Sequence, residues 1–399
     1  MAQRRAAALV DSLLAPAQAV LVAVDPAAAK AKRARMRGSP FAFYRATLAL
    51  QLPALAARAG ADGPWAWAVG DAHLANFATV ASGVERGGDG PRVVFDVADG
   101  DEEHPAPWAW DLLRFCASLA VARPRMDRAA LRGLARLTFA RYAEVMARAA
   151  EDDLEHGARV FVQDLPPSVV ALMERDGDPA RRRSWLKETI ARGRLRRRDG
   201  LSDDAEAKRT LAPVLAAALA DSHAARVIDL CRREASGVGS LGLRRWLALA
   251  VGPDAGAVRT IEIKERRPSE LARVVPALPD HRLPRRGIAV TVALGGDPCQ
   301  VVLPGAAWPL LARTRCHART ALDPAAIAAD ELPALARLCA TLIARFHARG
   351  LALCGVDVPA RAEAIAADAR RRGEALSALP WDLAQDNRAA FAIWKARKA

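Results

Sequence analysis

Two short polar segments, joined by an apolar run, constrain this chain more than any other feature. In the first segment, Asp71 follows a glycine and Asn76 stands five residues later. The second segment contains three aspartates: Asp96, Asp99 and Asp101. In phosphoryl-transfer sites an Asp orients or deprotonates the acceptor hydroxyl, whereas an Asn and a later Asp hold Mg²⁺ against the nucleotide phosphates. The pattern therefore predicts a phosphoryl-transfer site in which Asp71 positions the acceptor.

A glycine pattern lies far downstream of these segments. Gly237, Gly239 and Gly242 form G-x-G-x-x-G, and the same stretch contains Ser240. A dinucleotide site would place a helix after these glycines, but residues 243–251 have the composition of a strand. A glycine loop between two strands is the arrangement of protein kinases, in which the loop covers the nucleotide phosphates. We therefore expect these four residues to bind the nucleotide.

Lys264 lies in an apolar strand that follows the glycine pattern. Ile261 and Ile263 share one face of this strand, so Glu262 and Lys264 share the other. In kinases a strand lysine contacts the nucleotide phosphates, and the nearby glycine pattern favours this role over a solvated lysine on an edge strand. A carboxylate usually holds such a lysine, and we expect Glu270 to do so.

The net charge of +14 raises the question of a nucleic-acid partner. The basic residues are spread along the chain, however, and no basic motif interleaved with aromatic residues is present. The densest runs, at residues 181–183 and 192–198, are predicted to lie in one polar helical segment. Such a segment is either a solvated face or a docking surface for an acidic partner. Nucleic acid is therefore an unlikely partner by this pattern.

Cysteine usage and hydropathy indicate the compartment. The six cysteines form no Cys-x-x-Cys pair, which argues against a zinc site or a disulfide framework and fits a reducing cytoplasm. No uncharged apolar run is long enough to span a membrane. We therefore expect a cytoplasmic protein without a membrane partner. Its 399 residues suit one large two-lobed domain or two to three ordinary ones.

The periodicity of apolar residues predicts helices at both ends of the chain and strands between them. Helices are expected over residues 3–23, 46–59 and 107–150, and a charged, helix-rich stretch over 151–230. Strands are expected over residues 65–69, 92–97, 243–251, 257–264, 287–294, 299–304 and 309–316. From residue 324 onward the pattern is helical again.

The combination of motifs resembles the bacterial domain-of-unknown-function family 2252. The resemblance extends from about residue 30 to about residue 350. It is carried by Ser-Pro-Phe-Ala-Phe-Tyr-Arg at 39–45, Gly-Asp-Ala-His-Leu-Ala-Asn-Phe at 70–77, Trp-Asp-Leu at 110–112, the glycine pattern at 237–242, Ile-Lys-Glu at 263–265 and His-Ala-Arg at 347–349.

A more distant resemblance is to the kinase-like superfamily, particularly its small-molecule phosphotransferases. Kinases run from the glycine loop and lysine strand, through a hinge and a helix, to the catalytic loop and the metal-binding Asp. Here the catalytic loop and the metal-binding Asp come first, at 70–101. The glycine loop with the lysine strand (237–264), the hinge-like strand (309–316) and the helix (342–347) follow in that order. A circular permutation produces this preserved cyclic order, and it is tolerated when the original termini lie close together. The resemblance therefore implies an α+β, two-lobed, circularly permuted kinase-like fold that binds ATP and Mg²⁺.

The resemblance also implies how the chain divides into lobes. The helical lobe is expected to comprise residues 1–150, with the catalytic and metal loops, the charged helical segment 151–230, and the C-terminal helices 326–399. The β-lobe, with the glycine loop and the lysine strand, is expected over 231–325.

The choice among the aspartates follows from the same resemblance. In aminoglycoside-phosphotransferase-type enzymes the metal-binding Asp precedes, by about twelve residues, a second Asp in an aromatic-Asp-Leu helix start. Asp99 and Asp111 have this spacing, so Asn76 and Asp99 are the expected Mg²⁺ ligands, with Asp96 and Asp101 as alternatives. Asp111 is expected to buttress the catalytic loop or to cap its helix. His73 is expected to order the loop through a hydrogen bond.

Together these features predict an ATP- and Mg²⁺-dependent phosphotransferase that acts on an unknown, small-molecule acceptor, with Asp71, Asn76 and Asp99 as its catalytic residues. Gly100 stands where the family tends to have a Phe, and the loss of this packing side chain is expected to loosen the metal loop. Two alternatives follow: a nucleotide-binding, pseudokinase-like regulator, and a basic nucleic-acid-binding protein.

Overall fold

The computed structural model describes residues 7–82, 92–151, 162–198, 200–220, 226–234, 243–252, 258–275, 300–306 and 308–397. The glycine pattern with Gly237, Gly239, Ser240 and Gly242 lies outside the described residues, as does the strand expected over 287–294. Their roles therefore stay predictions.

Helices dominate the described part of the chain, and several begin at capped turns that contain a proline. The side chains of Asp25 and Ser39 each accept a hydrogen bond from the backbone N–H three residues later (2.8 and 3.0 Å). Pro26 and Pro40 follow directly, at a position where a missing N–H costs nothing. After a π-helical turn at Val10–Leu14, the helices are α1 (Ala15–Val24), α2 (Pro26–Gly38), α3 (Pro40–Ala46), α4 (Leu48–Ala59), α5 (Ala109–Ala122), α6 (Arg128–Ala150), α7 (Pro167–Gly177), α8 (Pro179–Thr189), α9 (Ala205–Ala218), α10 (Leu332–Leu353), α11 (Val358–Leu376) and α12 (Leu379–Ala396).

The strands form antiparallel sheets, so the fold is α+β as predicted. Three small pairs join β1 (Trp65–Ala68) with β4 (His104–Pro107), β2 (Phe77–Ser82) with β3 (Arg92–Val97), and β5 (Ile190–Ala191) with β6 (Arg194–Leu195). A six-stranded sheet has the order β11-β12-β10-β9-β8-β7, with the bounds β7 (Leu201–Asp203), β8 (Arg226–Arg233), β9 (Arg245–Val251), β10 (Val258–Glu265), β11 (Val301–Leu303) and β12 (Leu310–Thr314).

The described strands of this sheet match four of the predicted ones, β9 to β12, within a few residues. Strands β7 and β8 contradict the helical interpretation of 151–230, and the expected boundary at 231 falls inside β8. Strand β8 is basic at both ends, and only its middle, Leu230 and Cys231, is fully buried. Its pairing with β9 stabilises it through contacts that are distant in sequence, and local pattern does not encode them.

The basic run at 192–198 is not helical, in contrast to the prediction. It forms the turn and second strand of the β5–β6 hairpin, and Arg192 adopts a positive φ of 50° at that turn. Arg197 donates to both Asp229 (Nη1 to Oδ2, 2.8 Å) and Asp203 (Nη2 to Oδ1, 2.7 Å). Part of the positive charge is therefore used to join this hairpin to the large sheet.

The two faces of the large sheet differ in chemistry. Ile261 and Ile263 of β10 are fully buried against Leu215 and Leu219 of the α9 region. Alternation along the strand therefore directs the intervening Glu262 and Lys264 to the opposite face.

A larger apolar core joins α5, α6, α10 and α11, and it includes Leu113, Phe115, Phe139, Ile343 and Ile365. Trp108 stacks on Tyr142 within it, with ring centroids 5.3 Å apart. This core supports the loop that follows β1. Among the described helices, none has the length and hydropathy needed to cross a membrane.

Two helical glycines provide a test of this packing. A Cβ on Gly350 of α10 would overlap the side chain of Trp67, whereas a Cβ on Gly133 of α6 has no neighbour within 4 Å. We expect Gly133→Ala to raise the free energy of unfolding by roughly 0.5–1 kcal/mol, since alanine favours helix. Gly350→Ala is expected to lower it by about 1–3 kcal/mol through overpacking. Chemical denaturation of both variants measures the difference, and equal effects would contradict the described contact between α10 and β1.

Candidate functional site

The loop after β1 is fixed by a buried carboxylate. Asp111 of α5 accepts hydrogen bonds from the backbone N–H groups of Val69 (2.6 Å) and Gly70 (3.0 Å). Its Oδ2 also lies 2.9 Å from His347 Nε2, and His347 Nδ1 lies 2.7 Å from the Tyr142 hydroxyl. The predicted buttressing role of Asp111 is therefore confirmed, and His347 adds a support that comes from the distant helix α10.

Asp71 is held by a buried arginine that sequence reasoning missed. Arg114 of α5 donates through Nε (2.8 Å) and Nη2 to Asp71 Oδ1. Arg114 is only 1% exposed, and it also donates to Gln51 and to the Tyr44 carbonyl. Burial alone would raise the pKa of Asp71, but the Arg114 guanidinium outweighs it and holds that pKa below its usual value. Asp71 is therefore a fixed carboxylate at neutral pH.

A sequence signal for Arg114 was present. It lies three residues after Asp111 in an otherwise apolar helix, so both side chains emerge on one face. A lone cation on a buried helix needs an anionic partner, and Asp71 supplies it.

His73 lies beside Asp71, as predicted for a residue that orders the loop. Its Nε2 is 3.5 Å from Asp71 Oδ2, and its ring meets Phe41 edge-on with centroids 6.1 Å apart. Burial lowers the pKa of His73, which favours the neutral ring.

The β2–β3 hairpin brings the two polar segments together. Phe77 pairs with Val97, and beyond this pair the N–H of Ala98 donates to the Asn76 carbonyl (2.8 Å). The Asn76 side chain donates through Nδ2 to the Asp71 carbonyl (2.8 Å). The register therefore places Asn76 between Asp71 and the segment that contains Asp99.

The three candidate metal-binding aspartates have different surroundings. Asp96 Oδ1 accepts a hydrogen bond from the adjacent N–H of Val97 (2.7 Å), and Asp101 forms an ion pair with Lys264. Among the described residues, in contrast, Asp99 Oδ1 is buried without a hydrogen-bond partner, and Arg313 Nη1 is 4.0 Å away. The geometry therefore favours Asp99 over its two alternatives.

The Asp99 carboxylate is charged, and its chemistry suits a hard cation. Burial would raise its pKa, but Lys264 and nearby arginines lower it to about 2. Carboxylate and amide oxygens are Mg²⁺ ligands, and kinase-type sites use one or two carboxylates together with substrate phosphates. Asn76 and Asp99 fit this donor set. In the described ranges, no group of three or more His, Cys, Asp or Glu side chains forms a site of its own for a metal.

Lys264 is central in the sheet rather than on an edge strand. Strand β10 lies between β9 and β12, and Lys264 is 3% exposed. Burial lowers its pKa to about 8, although the Asp99 carboxylate opposes this shift. The ammonium group therefore lies between the sheet and the loop that carries Asp99 and Asp101.

The prediction that Glu270 holds Lys264 is wrong. Glu270 begins the 3₁₀ turn Glu270–Arg273, and its Oε2 lies 3.3 Å from Arg273 Nε. Its backbone N–H donates to Glu102 Oε2 (2.7 Å). The loop after β3 supplies the partner of Lys264, because Asp101 forms the ion pair that was expected for Glu270.

A cluster of arginines around Glu262 was not predicted either. Glu262 is 2% exposed and forms ion pairs with four arginines: Arg319 (3.2 Å), Arg313 (3.3 Å), Arg245 (3.9 Å) and Arg233. We call these five residues the arginine cluster. Burial would raise the pKa of Glu262, but the arginines hold it well below its usual value.

The arginine cluster faces the Asp99 segment. Arg313 and Arg319 both donate to the Ala98 carbonyl (3.3 and 3.1 Å). Burial and the neighbouring Arg313 lower the pKa of Arg319 to about 10, and Arg245 Nε is buried without a hydrogen-bond partner. Four cations around one buried anion repel each other, and a bound anion relieves that repulsion. The arrangement is therefore suited to binding a polyanion next to Asp99.

Comparison with known proteins identifies one family. A family model described as an uncharacterized protein conserved in bacteria (DUF2252) matches residues 24–397. Neither a curated protein nor a solved structure gives a significant match.

Proposed function

The chain belongs to the DUF2252 family, and we propose that it is an ATP- and Mg²⁺-dependent phosphotransferase with a circularly permuted kinase-like fold. Its acceptor, in this proposal, is a small molecule. The observation that carries the proposal is the convergence of Lys264 and the arginine cluster on Asp99, whose Oδ1 has no hydrogen-bond partner. Cations that neutralise phosphate and oxygens that bind Mg²⁺ are the two requirements of phosphoryl transfer.

The order of the strands supports the kinase-like assignment. The glycine pattern lies between β8 and β9 in sequence, and Lys264 is on β10, the third strand of this run. Protein kinases carry a glycine-rich loop before the lysine of their third strand. The pairs β1–β4 and β2–β3 enclose the loops of Asp71 and Asp99. This order of strands and loops supports the proposal of a kinase-type cleft in permuted order.

Catalysis in this proposal comes from position and charge. Lys264, Arg313 and Arg319 neutralise the phosphates, and Asp71, fixed by Arg114, orients the acceptor hydroxyl for in-line attack. Mg²⁺ held by Asn76 and Asp99 would supply further charge neutralisation on the transferred group.

We expect Lys264→Met to weaken ATP binding at least about 10-fold, because a charge-assisted hydrogen bond contributes roughly 1.5–3 kcal/mol. Titration calorimetry with Mg²⁺-ATP measures this change. Lys187→Met, which removes an exposed lysine on α8, is the matched control and keeps the wild-type affinity. Equal affinities for both variants would remove Lys264 from the nucleotide site.

A nucleotide-binding regulator without transfer activity is the second candidate. The Arg114 contact favours it, because a carboxylate bound to a guanidinium is a weak proton acceptor. ATP binding without turnover of any acceptor would support the regulator over the enzyme.

A further inference from the structure

A small cavity opens beside Asp71. Its volume is about 210 Å³, and it is enclosed by the N-terminal helices, the two polar loops and the turn after β10. Asp71 and Asp101 line it, but Lys264, Arg313 and Arg319 do not. The cavity therefore reaches Asp71 without including the side chains proposed to bind phosphate. We call it the N-terminal cavity.

The charges that face the N-terminal cavity are unbalanced. Lys32 and Arg45 line it, and neither forms a salt bridge within the described part of the chain. Arg45 Nε is buried and has no hydrogen-bond partner in the described ranges, and its guanidinium lies 5.9 Å from the centre of the Phe41 ring. Both cations therefore have donors available for a ligand.

Most carboxylates at the cavity already have cationic partners. Asp71 is bound by Arg114, Asp101 by Lys264, and Glu265 Oε1 lies 2.6 Å from Arg244 Nε. Glu270 Oε2 lies 3.3 Å from Arg273 Nε, a longer contact than that of Glu265, and has no hydrogen-bond partner among the described residues.

Among the described residues, Glu102 is the lining carboxylate that forms no ion pair; its Oε2 accepts a hydrogen bond from the Glu270 N–H (2.7 Å), and burial raises its pKa to about 7. The two lining cations without an ion pair, Lys32 and Arg45, outnumber this carboxylate, and their surplus positive charge favours an anion.

The size and the remaining walls limit the ligand further. Leu13, Leu14, Ala17 and Leu48 provide an apolar side. A volume of about 210 Å³ corresponds to roughly seven waters at ~30 Å³ each, and it is below the ~300–1,000 Å³ typical of drug-sized sites. The cavity therefore suits a compact molecule with one charged end and few carbons.

We infer that the N-terminal cavity binds the phosphate acceptor, and that this acceptor is a small organic anion with a free hydroxyl group. Its carboxylate or phosphate is bound by Lys32 and Arg45, and its hydroxyl faces Asp71. This inference rests on the phosphotransferase function proposed above. The hydroxyl oxygen forms a bond to the γ-phosphorus of ATP, while the bond from that phosphorus to the β–γ bridging oxygen breaks. ADP leaves, and the hydroxyl proton passes through Asp71 to solvent.

Four probe acceptors of similar size test the charge requirement: glycerate, glycerol 3-phosphate, neutral glycerol and cationic ethanolamine. Transfer from radiolabelled ATP and thermal unfolding without ATP are measured for each. We expect one or both anions to accept phosphate and to raise the unfolding midpoint. An effect of glycerate indicates that the site binds a carboxylate, and an effect of glycerol 3-phosphate indicates that it binds a phosphate group. Neither effect is expected with glycerol or ethanolamine. Preference for ethanolamine or glycerol, or no stabilisation by either anion, would overturn the inference.

Substitutions of the two cavity cations test whether the anionic acceptor binds in the N-terminal cavity. We expect the double variant Lys32→Gln/Arg45→Gln to raise the KM for the anionic acceptor at least about 10-fold, with the Kd for ATP unchanged. The control Lys30→Gln/Arg58→Gln changes an exposed lysine on the same helix and an arginine paired with Asp386, and it keeps the wild-type KM. If the double variant does not fold, Lys32→Gln alone provides the same comparison.

An unchanged KM would exclude the cavity as the acceptor site. A protein that binds small anions in the absence of ATP, but neither binds nor hydrolyses ATP, would refute the phosphotransferase and leave the anion site standing. Failure of the acceptor-site inference can therefore be distinguished from failure of the proposed phosphotransferase function.

Discussion

Asp71→Asn lowers the kcat of phosphoryl transfer by about 10²–10⁴-fold, the range associated with a positioned acid–base group, and leaves the affinity for Mg²⁺-ATP unchanged. The reason is geometric: Asp71 lines the N-terminal cavity, whereas the cations proposed to bind phosphate lie on the large sheet and in the segment after β12. The amide of Asn keeps the shape of the side chain but removes the charge that orients the acceptor hydroxyl. Steady-state kinetics and calorimetry on the same preparation separate the two effects.

The control for this variant removes a carboxylate elsewhere. Asp127 caps α6 by accepting a hydrogen bond from Ala130 N (2.8 Å), and Asn caps helices as well as Asp does. Asp127→Asn is therefore expected to keep full activity. A wild-type kcat in Asp71→Asn would exclude Asp71 as the acceptor-positioning residue, and a loss of ATP binding would place it in the nucleotide site instead.

Gly70→Ala destabilises the protein by about 2–4 kcal/mol and disorders the Asp71 loop. Gly70 has a φ of +81°, and a Cβ there would overlap the backbone of Glu102. The left-handed conformation costs alanine roughly 1 kcal/mol, and the overlap with the Glu102 backbone adds about 1–3 kcal/mol. Because Gly70 lies directly between Val69 and Asp71, we also expect activity to fall more than stability alone explains.

Gly200→Ala isolates the effect of the overlap. Gly200 has the same φ of +81°, but its nearest neighbour is Glu234 Cβ at 4.0 Å. This variant is expected to lose only about 1 kcal/mol, the cost of the backbone conformation. Chemical denaturation of both variants gives the difference. Equal losses would show that Gly70 is needed for its conformation and not for the approach of the two loops.

The sequence predicted the parts of the site that depend on local pattern. Alternation along β10 placed Glu262 and Lys264 on one face, and the Trp-Asp-Leu motif indicated a buttress at Asp111; both are confirmed. The first prediction succeeded because strand alternation is determined by neighbouring residues. The second followed from the resemblance to aminoglycoside-phosphotransferase-type enzymes.

The parts that failed depend on contacts between distant segments. Nothing near Lys264 in sequence indicates that Asp101 rather than Glu270 is its partner, since that choice follows from the packing of the β3–β4 loop against the sheet. The same holds for the four arginines around Glu262, which come from β8, β9, β12 and the segment after it. Pairing across a sheet brings such residues together, and a single sequence carries little information about register.

Thermal unfolding with and without Mg²⁺-ATP tests the nucleotide site most directly. Ligand at about a hundred times its Kd adds roughly 2.7 kcal/mol of stability, which raises the unfolding midpoint by a few degrees in a chain of this size. We expect a shift in wild type that requires Mg²⁺ and is lost in Asp99→Asn, while Asp127→Asn keeps it. The absence of any shift at millimolar ATP, or an equal shift in Asp99→Asn, would contradict the proposed site.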